Sequence, residues 1–231
     1  MSVDVGTASS FDLGEGSVRE LNTALRGAEA GQWRVLRPGG RHSIAAGLTA
    51  PVAVEIEGHV GYYCAGMNQE ATVRVQGSCG VGVAENMMSG TVVVEGDASQ
   101  AAGATAHGGL LVIEGSAAAR CGISMKGVDI VVRGSVGHMC AFMAQSGRLA
   151  ICGDAGEALG DSIYEARAYV RGDLASLGAD CVAKELREEH RLELGELLER
   201  AGMGDLDPAE FRRYGSARRL YNFDVDDVGE Y

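Results

Sequence analysis

Chemistry in this chain would have to begin with cysteine or histidine. Six cysteines stand at positions 64, 79, 121, 140, 152 and 181, with no Cys-x-x-Cys pair among them. His138 and Cys140 could share a strand face, but two ligands do not close a tetrahedral metal site. His107 falls at a Gly-Gly corner, where it should face solvent, and His42, His59 and His190 form no cluster in sequence. A nucleophile would need a neighbouring base and a group to orient that base, and no such set is visible. Among charged residues, Glu95, Glu114, Arg133 and Arg171 fall in one column of constant step, which predicts a Glu114–Arg133 surface ion pair rather than an acid–base couple. No residue is therefore assigned to catalysis, cofactor binding or metal ligation.

The step of that column comes from a repeat. Glycine recurs at Gly58, Gly77, Gly96, Gly115, Gly134, Gly153 and Gly172, every interval being nineteen residues. Seven residues after each stands another glycine or an alanine: Ala65, Ala84, Gly103, Gly122, Ala141, Gly160 and Ala179. Just before each next glycine come apolar residues at alternate positions, such as Val92 and Val94, Leu111 and Ile113, Ile130 and Val132, and Leu149 and Ile151. Alternation of period two is a strand signal. A random-coil linker would keep no hydrophobic register, and seven glycines with no following Gly-Lys-Ser/Thr do not make a phosphate loop.

Stacked coils remain. One short two-sided unit cannot bury its own face, but stacking at about 4.8 Å per coil buries a continuous interior and pairs the backbone between coils. The fold class expected is all-β: a right-handed parallel β-helix of nineteen-residue coils over residues 41–180. In this reading the repeat glycines close each strand with a turn that tolerates positive φ. Cys64, Cys121 and Cys140 share the column with Val83, Ala102 and Leu159, so they read as buried small apolar side chains.

Both ends of such a stack need covering. Residues 1–40 read as an N-terminal cap, with a helix near 17–28 opened by Ser17 and Glu20 as a capping box. Residues 181–231 read as a C-terminal helix, expected to cover the last coil, followed by an arm. In that arm Arg212, Arg213, Arg218 and Arg219 interleave with Phe211, Tyr214, Tyr221 and Phe223, a composition expected of a segment that packs on a partner chain. A second interface candidate lies between the inward positions, where Val93, Val112 and Val131 with Ala150 make an apolar ladder on the outer face. Such a stripe marks an interface unless the protein's own termini cover it.

Composition narrows the class further. With 20 Lys and Arg against 32 Asp and Glu the formal charge is −12, which argues against nucleic-acid or membrane surfaces as partners. No apolar run approaches the roughly 20 residues of a membrane span. Unpaired cysteines and the lack of a charged-then-apolar leader at the N-terminus predict a cytoplasmic protein with reduced thiols.

The rungs "GHVGYYCAGMNQEATVRVQG", "GSCGVGVAENMMSGTVVVEG" and "GSVGHMCAFMAQSGRLAICG" resemble the Gly-rich C-terminal β-helix domain of the glutamate synthase large subunit and its stand-alone relatives. The flanks "SVRELN" and "GSARRLYNF" resemble those of the separate small β-helix subunit of N-methylglutamate synthase, so the likeness spans the whole chain. The resemblance implies a non-catalytic structural subunit in a cytoplasmic hetero-oligomer. Its partners would be an amidotransferase-like subunit and an FMN-binding, glutamate-synthase-like subunit. FMN, with NADP and iron–sulfur centres as further candidates, would then belong to the partners and no cofactor to this chain. The reaction implied is methylamine plus L-glutamate to N-methyl-L-glutamate plus ammonia. A three-subunit glutamate synthase working on glutamine and 2-oxoglutarate, or the β-helix subunit of formylmethanofuran dehydrogenase, would use similar rungs. A polysaccharide-cleaving β-helix would need paired carboxylates along one outer groove, and the outward columns are mixed or apolar.

Overall fold

The computed structural model describes residues 8–219. Its backbone is one eleven-stranded sheet wound into a parallel solenoid of about seven turns. The strands are β1 (Ser9–Asp12), β2 (Gly31–Leu36), β3 (Val52–Ile56), β4 (Thr72–Val75), β5 (Thr91–Val94), β6 (Leu110–Ile113), β7 (Lys126–Val132), β8 (Ser146–Ile151), β9 (Arg167–Val170), β10 (Cys181–Lys184) and β11 (Arg212–Ser216). Two helices accompany them, α1 (Val18–Gly27) and α2 (Glu188–Arg200). Strands β1 to β9 stack in chain order, each parallel to the next. The nineteen-residue step is the register itself, running Val73, Val92, Leu111, Ile130, Leu149 and Ala168 from coil to coil. All of these inward residues are completely buried, as are Val75, Val94, Ile113, Val132, Ile151 and Val170 one alternation further on. A second face is a line of single bridges through Val60, Cys79, Ala98, Ala117, Val136, Ala155 and Leu174.

The repeat glycines serve a different purpose from the one the sequence suggested. Of the seven, only Gly58 has a positive φ, at 129°. The others are needed because successive coils touch backbone to backbone there. A Cβ on Gly134 would lie 2.5 Å from Ser116 Oγ and 2.7 Å from the carbonyl oxygen of Gly115, to which Gly134 N–H donates at 2.9 Å. Positive φ belongs instead to an arch between the two faces, at the fifth, seventh and ninth residues after each glycine from Gly58 to Gly153: Tyr63, Ala65 and Met67 in one coil, Met139, Ala141 and Met143 in another. The seventh is small because it combines a left-handed backbone with an inward direction. At Gly103 a Cβ would meet Ile130 Cδ1 at 2.6 Å.

The stack also begins earlier than residue 41. β1 and β2 already pair in the sheet, and α1 fills the remainder of that first turn. Ser17 and Glu20 do form the capping box, with Ser17 N–H donating to Glu20 Oε2 at 2.8 Å and Glu20 N–H to Ser17 Oγ at 3.2 Å. Leu21 and Leu25 of α1 enter the main core with Leu13, Ile44 and Leu48. At the other end the stack is closed by two antiparallel strands rather than a helix: β11 runs antiparallel to β9, and β10, which precedes α2 in the chain, pairs outside it.

Candidate interaction surfaces

The outward ladder is where sequence and structure part most clearly. Val112 is 2% exposed and Val131 and Ala150 are fully buried, while Val93 is half-buried at the margin. They are covered by α2, whose Leu194, Leu197 and Leu198 form a second core with them, together with Met203 and Phe211. The helix thus lies along the flank of β6–β9 instead of over the last coil, and Val112 and Val131 are internal packing rather than open surface. Ionic contacts fasten it. Asp129 on β7 takes Arg148 of β8 in a two-point contact at 2.7 and 2.5 Å and Arg200 of α2 at 2.9 Å. Glu193 of α2 pairs with Arg167 at 2.5 Å and with Arg148 at 3.4 Å. Asp129 is 8% exposed, so removing either of its cations would leave a shielded charge short of partners.

The basic–aromatic arm is corrected in the same direction. Phe211 is buried against α2 and Tyr214 in the main core. Arg212 donates to the Gly172 carbonyl, and Arg213 Nε donates to the Glu185 carbonyl at 2.9 Å. Arg218 pairs with Glu165 at 3.0 Å, and Arg219 N–H donates to Asp180 Oδ1 at 2.9 Å. Residues 211–219 are therefore largely spent on this chain's own edge; Tyr221 and Phe223 lie outside the described residues.

The chemistry-bearing side chains stand as follows. All six cysteines are free and buried. Burial pushes the thiols of Cys79 and Cys181 up to about 12 and those of Cys140 and Cys152 to about 11, so none is poised as a thiolate near neutral pH. His138 and His107 are exposed, apart from the buried Cys140. No group of three or more metal-ligating side chains occurs among the described residues. Arg133 Nε donates to Glu114 Oε2 at 2.7 Å, as the column predicts.

Two arrangements were not read from the sequence. One is a side-chain ladder just after the repeat glycines, where His59, Ser78, Asp97, Ser116, Ser135 and Asp154 each accept the backbone N–H of the equivalent residue one coil on, at 2.8–3.2 Å. Its signal was present, since every member of that column can accept a hydrogen bond. The other is an exposed apolar cluster on the arch of the early coils. Tyr62, Tyr63 and Met67 are 48%, 47% and 53% exposed; the His42 ring stacks on Tyr62 with centroids 4.5 Å apart, and Tyr63 and Met67 line one groove. Adjoining exposed aromatic and thioether groups are the usual material of a protein interface.

These features define a β-solenoid protein with a sealed interior, a helix strapped to one flank and an apolar edge open on the arch. No protein-family model matches the chain. It is similar to Protein GlxC of Rhizobium meliloti (strain 1021), at 59% identity over 225 residues, covering 96% of this chain and 99% of that protein. The chain belongs to the GlxC family. No helix among the described residues is long and apolar enough to cross a membrane.

Proposed function

We propose that the chain is a structural subunit of a glutamate-synthase-related flavoenzyme, and more specifically of an N-methyl-L-glutamate synthase. It would hold an amidotransferase-like subunit and an FMN-binding subunit in a fixed relation, the flavin and the reacting groups belonging to those partners. The observation that carries this reading is the coil. A nineteen-residue Gly-rich step, stacked backbone on backbone, supplies rigidity and length while turning its thiols away from solvent. It is also the feature that resembles the β-helix domain of the glutamate synthases. The arch edge at Tyr62, Tyr63 and Met67 is the contact surface offered to a partner, in place of the ladder that α2 covers.

Affinity capture of the full chain from its native cytosol tests the proposal. Co-purification of amidotransferase-like and FMN-binding chains, with flavin absorbance in the eluate, is expected. Turnover of methylamine with glutamate would select the N-methylglutamate reaction, and turnover of glutamine with 2-oxoglutarate the glutamate synthase reaction. A colourless protein eluting alone would overturn the assembly role.

A further inference from the structure

The antiparallel strand pair that closes the stack carries charges its own fold does not explain. Lys184 on β10 stands directly opposite Arg213 on β11. Like charges facing each other across an antiparallel pair destabilise it. The Lys184 side chain makes no hydrogen bond or ion pair among the described residues, and the Arg213 side chain donates only through Nε, to the Glu185 carbonyl, leaving both Nη groups without partners.

These two cations line a cleft of about 340 Å³ with Arg167, Arg187 and Arg218. Glu165 is the one carboxylate residue in its wall, and it is taken by Arg218. Arg167 and Arg187 are matched from outside the wall by Glu193 and by Glu185 and Glu189. The unmatched charge is therefore concentrated on Arg213 and Lys184, in a chain whose formal charge is −12. Burial and the crowding of Arg167 and Arg187 hold the Arg213 guanidinium below its ordinary value. His190, the first buried residue of α2, also lines the cleft; its Nδ1 accepts Arg187 N–H at 3.2 Å, which places the proton of the neutral ring on Nε2. Gly215 adds room, since a Cβ there would make only ordinary contacts at 3.7 and 3.8 Å.

We propose that this cleft is a binding site for a small oxyanion, a carboxylate or a phosphate, held between Arg213 and Lys184. A guanidinium with two free Nη donors matches two oxygens of such a group, and the ammonium adds a third contact. The bound anion would turn a repulsive cross-strand pair into a bridged one and tighten the strand pair that ends the stack.

Calorimetric titration of the full chain with inorganic phosphate and, separately, with glutarate tests this, in chloride at matched ionic strength. Saturable one-to-one binding of either is expected, weakened roughly tenfold or more by Lys184→Met or Arg213→Gln. Lys184 sits on the edge strand, so Lys184→Met should fold; in chloride alone it is expected to melt no lower than the parent, and phosphate should raise the parent's Tm but not the variant's. If neither anion binds, or if both variants bind as the parent does, the site does not exist.

Discussion

Both helices of this protein lie against the same solenoid, and they solve different problems. α1 completes the first turn and closes the end of the stack. Its Asn22 is 8% exposed, donates through Nδ2 to the Ser43 carbonyl at 2.8 Å, and accepts the Ala45 N–H at 2.9 Å, supplying the next coil with the partners a preceding coil would have given. α2 touches no such open edge. It lies on a flank whose backbone is already paired and covers side chains instead: Val112, Val131, Ala150 and Tyr169. An end needs hydrogen-bond partners as well as apolar area, so α1 adds the polar contacts of Asn22 to its buried Leu21 and Leu25, whereas α2 needs only its leucines to cover the flank and ion pairs to fasten it.

That contrast can be broken at several points. The largest effect is expected where neither helix can compensate. Ile113→Glu buries a lone carboxylate among aliphatic side chains and should cost more than about 4 kcal/mol, read as loss of the strand signal in circular dichroism or of soluble protein. Next come two truncations of similar size and different consequence. Leu25→Ala and Leu197→Ala should each cost about 2–5 kcal/mol. Hydrogen exchange should rise in residues 41–57 for the first, and in 188–203 for the second with the coils still protected. Val112→Glu belongs with Leu197→Ala, because it strikes the underside of α2; equal exchange patterns from the α1 and α2 truncations would mean that the two helices do the same work.

Smaller still is Asn22→Ala, which leaves a buried N–H and a carbonyl unpaired for about 1–3 kcal/mol and should open only the first coils. Smallest is the cap of α1. Ser17→Ala should cost about 1 kcal/mol. The backbone N–H and hydroxyl of Ser17 hold the Glu20 carboxyl below its usual value of 4.5. Its contribution is thus complete above that value and lost as pH falls through the lower folded-state value. Exchange in α1 should accordingly rise on acidification, and less so in Glu20→Gln.

Much of the fold was legible because it is periodic. The columns through Val94, Ile113 and Ile151 gave the inward face, and Ser17 with Glu20 gave the start of α1. What misled was local. Glycine permits a positive φ and also permits close approach, and sequence alone does not say which; Gly134 is present for the second reason, while Tyr63 and Met67 carry the positive φ without being glycine. The proposed anion cleft was only half legible, since Arg213 stood out in the arm but nothing local set Lys184 opposite it.

The sequence by itself determined the coil, because a fixed step of nineteen residues has to bring like residues together once the coils stack. The tertiary structure decided which surfaces remain. Whether Val112 and Val131 face a partner or α2 depended on contacts such as Arg148 with Glu193, 45 residues apart, and Arg200 with Asp129, 71 apart. No repeat encodes such contacts. They form only when the helix returns to the flank and its leucines pack on the apolar stripe of Val112, Val131 and Ala150.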